Sequence, residues 1–112
     1  MNPYKNLLID YFNFFSKKDL KNLTNMFSSD VKLFDWEISA LGIDEVVTAN
    51  ENIFNSVDTI EVFLKNIYKN EINNSFVCEI EIKINNDNVL KVIDIISFDE
   101  KNKINLISAY KQ

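Results

Sequence analysis

Two apolar runs joined by a polar tetrad decide the architecture: FVCEIEIKI at residues 76–84, NNDN at 85–88 and VLKVIDIISF at 89–98. In the first run Phe76, Cys78, Ile80, Ile82 and Ile84 alternate with Val77, Glu79, Glu81 and Lys83. Strand side chains point to opposite faces with a period of two, so this pattern predicts a strand with one apolar and one mostly charged face. Asn and Asp tolerate the left-handed backbone that tight hairpins demand, so 85–88 predicts a turn and 89–98 an antiparallel return. Outward from this hairpin, a turn over 99–102 leads to a last strand over 103–110. A supporting strand is expected upstream, from about 59 to 68, with Ile60, Val62, Leu64 and Tyr68 on one face.

The first half of the chain reads as helices. Asn2 and Pro3 predict a helix start, after which Tyr4, Leu7, Leu8, Tyr11, Phe14 and Phe15 recur at three- and four-residue steps as one buried stripe. Asp19 is the expected cap of a second short helix with Leu20, Leu23, Met26 and Phe27 on its apolar side. A short strand over 31–36 would place Val31, Leu33 and Asp35 on one face and Lys32, Phe34 and Trp36 on the other. Beyond Gly42, Asp44 is the expected cap of a third helix whose stripe holds Ile43, Val46, Val47, Asn50, Phe54 and Val57. Helices followed by strands in 112 residues predict one α+β domain spanning 1–112.

Composition removes several mechanisms. The chain has no His, no Arg, one Cys and one Gly. A Ser-His-Asp or Cys-His relay and a His-ligated zinc are therefore excluded, as is a glycine-rich phosphate cradle. A net charge of −5 with scattered lysines argues against nucleic acid and against an anionic membrane surface. No apolar run reaches membrane-spanning length and residues 1–5 lack a secretory start, so a cytoplasmic protein is expected. Cys78 has no partner for an internal disulfide and reads as a small hydrophobe.

Periodicity makes one residue odd. Asp94 shares its strand face with Leu90, Val92, Ile96 and Phe98, which predicts a carboxyl inside an apolar layer. Burying it ionised and unpaired is costly, so it should find a donor or raise its pKa. Two readings stand: a structural carboxylate with a hydroxyl or amide partner, and a pocket acid. Asp35 ends its strand on the Val31 and Leu33 face, either as a turn former or as a site residue. Tyr11 lies on the core stripe, where a phenol needs a partner for its hydroxyl or is simply core. Trp36, Asn50 and Tyr110 are further candidates, with packing or a rim position as the alternative.

The segment YFNFFSKKDLKNLTNMFSSDVKLFD, residues 11–35, resembles the opening of the NTF2-like superfamily, especially its ketosteroid isomerase and SnoaL-like branches. The segment IDIISFDEKNKINLISAY, residues 93–110, resembles the closing hairpin of that family. With element order and length, the resemblance covers essentially the whole chain. It implies an NTF2-like cone of three N-terminal helices packed on a curved, mostly antiparallel sheet. It also implies Asp35 as general base, with Tyr11 and Asp94 as the two oxyanion-hole donors; in ketosteroid isomerase an apolar site keeps such an acid neutral so that it can donate. Phe15, Trp36, Asn50 and Phe54 complete the pocket so implied, and no metal or cofactor is needed. The chain departs from the isomerase pattern in carrying Trp36 where those enzymes have proline, a shorter loop over 37–41, and Asn50 near a supporting tyrosine. A smaller or differently shaped pocket follows.

Two functions are therefore expected in parallel. One is a pocket for a small apolar ligand, with proton transfer next to a carbonyl in an isomerase or cyclase-like reaction. The other is a non-catalytic binding or dimerisation module, favoured by nine Phe, four Tyr and one Trp that could plug the cavity. The resemblance further implies a homodimer through the open sheet face, where Val77 and Ile107 would supply apolar side chains.

Overall fold

A computed structural model describes residues 3–112. These form helices α1 (Pro3–Ser16), α2 (Leu20–Thr24) and α3 (Ile43–Ser56) and strands β1 (Phe27–Phe34), β2 (Ser39–Leu41), β3 (Ile60–Lys69), β4 (Ser75–Ile84), β5 (Asn88–Phe98) and β6 (Ile104–Lys111). The strands make one open, mixed sheet in the order β2-β1-β6-β5-β4-β3, parallel only between β1 and β6. No helix among the described residues is long and apolar enough to cross a membrane.

Pro3 opens α1, where its missing N–H is no loss; Asn2, expected to share that start, lies outside the described residues. The helix buries Leu8, Tyr11 and Phe12. It ends where Lys18 turns left-handed at φ 54, with Asp19 N–H donating to the Phe14 carbonyl and Lys18 N–H to that of Phe15. That is the paired closure of a Schellman cap, here without glycine. Asp19 caps α2 as expected, accepting from the Asn22 amide at 3.2 Å. The helix stops at Thr24, however, so Met26 lies beyond it and Phe27 begins β1. Gly42, at φ 86 and ψ 160, takes the cap position of α3, a backbone region only glycine adopts readily. Asp44 therefore sits inside the first turn, where it complements the helix dipole, instead of capping it.

The β4–β5 hairpin follows the alternation residue for residue. Phe76, Cys78, Ile80, Val92, Asp94, Ile96 and Phe98 are buried on the helix side. Asn85 and Asn86 take the positive φ values of 53 and 64 that the turn chemistry predicts. Bulges in β3 and β6 change parity there. In β3, Leu64 faces Ile80 and Asn66 faces Glu79, which leaves Lys65 unopposed. The inward face therefore passes from Leu64 to Ile67, and Tyr68 turns out to 53% exposure instead of continuing it. In β6, Phe98 pairs with Ile104 and Ser97 with Leu106, so Asn105 is extra. Ile107 is thereby turned inward and buried, which removes it from the open face on which the regular period would place it. Val77 stays on that outer face, paired with Tyr68 and Ile95.

Candidate functional site

The helices close over one face of the sheet without filling it. A cavity of about 200 Å³ remains, walled by α1 and α3 on one side and by β3 to β6 on the other, with the turn after β1 beside it. Its lining is aliphatic, from Ile80, Ile82, Val92 and Ile107, and aromatic, from Phe12 and Phe15. Set into that apolar wall are Tyr11, Asp35, Asn50 and Asp94.

Each polar group arrives by a separate local cause. Tyr11 lies on the buried stripe of α1, one helical turn before Phe15, and its ring meets Phe12 edge-on at 5.1 Å and Phe27 at a tilt at 6.4 Å. Asp94 sits on the inward parity of β5, between Val92 and Ile96 and opposite Cys78. Asp35 follows the last residue of β1. Its Oδ1 accepts the Glu37 and Ile38 amides at 2.7 and 2.6 Å, and its own N–H donates to the Ile38 carbonyl. Asp35 is thus a turn former that also lines the cavity. Asn50 comes from the buried face of α3 and gives its amide nitrogen to the Val46 carbonyl at 2.9 Å.

Among the described residues no hydrogen bond reaches the Tyr11 hydroxyl or the Asp94 carboxyl. No buried side-chain polar atom is both sealed off and unpartnered, so these two groups open onto the void. The energetic consequence follows from burial. The Asp94 carboxyl is pushed up to about 7, first by loss of solvent and then by the Asp35 charge. The Tyr11 phenol is raised well above its ordinary 10, again by burial first and then by Asp94 and Cys78. The Cys78 thiol is pushed up to about 12 by burial and by Asp94, which leaves it protonated and inert.

Of the other sequence-predicted site residues, Trp36 lines the cavity at 41% exposure, with Lys111 Nζ 5.2 Å from its ring centroid. Phe15 is on the wall. Phe54 is not: it is buried one step back, edge-to-face on Phe15 at 5.1 Å. Tyr110 is 59% exposed on the outer face, paired with Ile93. Sequence reasoning missed Phe12, which lies one position off the α1 stripe. It also missed Glu37 and Ile38, whose place on the lining depends on a turn with no periodic signal. No group of three or more possible metal-ligating residues exists among the described residues.

No protein-family model and no curated protein sequence matches this chain. Its fold does match solved structures. A SnoaL-like family protein from Agrobacterium tumefaciens, ascribed an isomerase activity, superposes with a TM-score of 0.84 at 11% identity, covering 100% of this chain and 99% of that one. A protein from Catenulispora acidiphila with a ketosteroid isomerase-like fold, in complex with trimethylamine, superposes with a TM-score of 0.83 at 9% identity, over 98% and 86% of the two chains. An NTF2-like protein of unknown function from Cytophaga hutchinsonii gives 0.81 at 7% identity, over 100% and 92%. At such identities the likeness establishes the fold, which is NTF2-like.

Proposed function

We propose that this chain, acting as a single domain, binds a small apolar carbonyl compound in the cavity and moves a proton on the carbon next to the carbonyl. The observation that carries this reading is the convergence of two acids and a phenol on one apolar void, with the phenol and one acid free of protein hydrogen bonds. The Asp35 carboxylate takes the α-proton and the electron pair moves onto the carbonyl oxygen. Tyr11 and protonated Asp94 then hydrogen-bond that oxygen where charge develops, and Asp35 returns the proton to the γ-carbon. Donors preorganised in a water-poor site are worth far more than in bulk water. The isomerase ascription of the Agrobacterium neighbour is in keeping with this chemistry.

Volume limits the substrate. An apolar void of about 150 Å³ admits benzene, and pockets for drug-sized ligands begin at roughly 300 Å³. At about 200 Å³ this cavity suits a single ring with a substituent. The test is the ultraviolet absorbance of enone formed from a monocyclic β,γ-unsaturated ketone. Asp35→Asn is the informative variant, because its amide oxygen still accepts from Glu37 and Ile38 while the base is lost. Its rate is expected to fall by ~10² to 10⁴-fold, the usual contribution of a positioned base. Wild-type turnover no faster than Asp35→Asn would remove the catalytic part of the proposal. The second reading, a non-catalytic binding module, is favoured by the engagement of Asp35 Oδ1 in its turn; it requires ligand affinity without turnover.

The outer sheet face, with half-buried Val77, Ile93 and Ile95 and exposed Tyr110, supports a homodimer built across it. Light scattering at micromolar concentration is expected to give twice the chain mass, and a monomer would refute it.

A further inference from the structure

We infer that the ligand of this cavity carries a hydrogen-bond donor as well as its carbonyl, and that Asn50 Oδ1 selects for it. This rests on the carbonyl-binding reading above and deepens it by naming a second functional group on the ligand. Asn50 is 2% exposed, on the inward face of α3. Its amide nitrogen is committed to the Val46 carbonyl one turn earlier, which fixes the rotation of the side-chain amide. The oxygen accepts nothing among the described residues, yet it is not sealed away, and Asn50 lines the cavity. An amide oxygen has lone pairs for two donors, and leaving it unmet in an apolar enclosure is unfavourable.

The polar lining thus divides by role. Tyr11 and protonated Asp94 present donors, which suit a carbonyl oxygen. Asn50 Oδ1 presents an acceptor, which a simple ketone cannot satisfy. A hydroxyketone, or a 1,3-dicarbonyl in its enol form, supplies both partners from one small ring or chain. An ordinary hydrophobic pocket discriminates poorly against an added hydroxyl, whereas a site with a waiting polar partner rejects the analogue lacking it.

A matched pair of ligands separates these cases, because methyl and hydroxyl are close in size. In a purely apolar pocket the methyl compound binds more tightly; with an acceptor in place the hydroxyl compound does. Dissociation constants for the ring isomers of hydroxycyclohexanone and of methylcyclohexanone are read from the fluorescence of Trp36, the only tryptophan and a cavity residue. At one ring position at least, wild-type protein is expected to prefer hydroxyl over methyl by on the order of tenfold. Asn50→Leu, similar in volume and without the acceptor, is expected to reverse that preference. Methyl binding more tightly at every position on the wild-type protein overturns the inference and leaves the carbonyl reading standing. A hydroxyl preference that survives in Asn50→Leu assigns the acceptor elsewhere and also overturns it. Failure of every ketone to bind removes both. The wild-type comparison stands even if the variant does not fold.

Discussion

Asp94→Asn is expected to stabilise the protein at about pH 8 by roughly 4 kcal/mol, with the gain vanishing toward pH 4. Asp94 is only 7% exposed, so solvent does little to screen its charge. Its carboxyl titrates at about 7 in the folded chain against an ordinary 3.8. One unit corresponds to about 1.4 kcal/mol, which sets the size of the effect. The folded state holds this proton more tightly than the unfolded chain does. Stability from this group is therefore complete below the unfolded value, and it is lost as pH rises from about 4 through about 7. Asparagine keeps the shape and cannot ionise, so that loss disappears in the variant. Urea unfolding across pH for both proteins checks it, and parallel profiles would show that Asp94 does not titrate in a dry site. On the proposed reading the same substitution replaces the carboxylic O–H offered to a developing oxyanion by a weaker amide N–H donor, and activity should drop while stability rises. A gain in stability with a loss of activity would mark an acid kept at a cost to the fold, as a site residue is and a packing residue is not.

Phe76→Ala is expected to destabilise the protein by ~3 to 5 kcal/mol, the range for deleting a buried aromatic ring and leaving a void. Phe76 is 1% exposed and is the largest of the fully buried side chains. Its ring lies 5.2 Å from that of Tyr4 and 5.9 Å from that of Phe98, while Tyr4 and Phe98 are 5.1 Å apart. This triad pins the first turn of α1 onto β4 and β5, and through α1 it holds Tyr11 over the cavity. Against a typical total of about 5 to 15 kcal/mol, such a loss threatens folding itself. Phe76→Leu, which keeps most of the apolar volume, should recover most of the stability. A Phe76→Ala midpoint in urea close to that of wild type would show that the start of α1 is held by other contacts.

Much of this was legible in the chain. The parity of β4 and β5, the turn of Asn85 and Asn86, the buried stripe of α1 and the cap at Asp19 are each local consequences of residue order, and the structure follows them. So is the anomaly of Asp94, because its neighbours two positions away on either side are aliphatic. The failures have separate causes. A regular period puts Tyr68 and Ile107 on the wrong faces because single extra residues, Lys65 and Asn105, shift it, and nothing in either residue's type announces a bulge. Phe54 sits behind the wall and not on it, because helical spacing gives a direction but not a depth. Gly42, not Asp44, caps α3 because the chain enters the helix from β2, a three-residue strand too short to leave a pattern.

By itself, then, residue order determined which side chains face inward wherever an element keeps its regular period, since that period is set by its own backbone. Only the assembled tertiary structure decided that Tyr11, Asp35, Asn50 and Asp94 face the same void, and how large it is. A cavity is the volume left over when elements distant in sequence pack against one another. A bulge is settled by the register of the neighbouring strand. Neither quantity belongs to any one segment, so neither can be read from one.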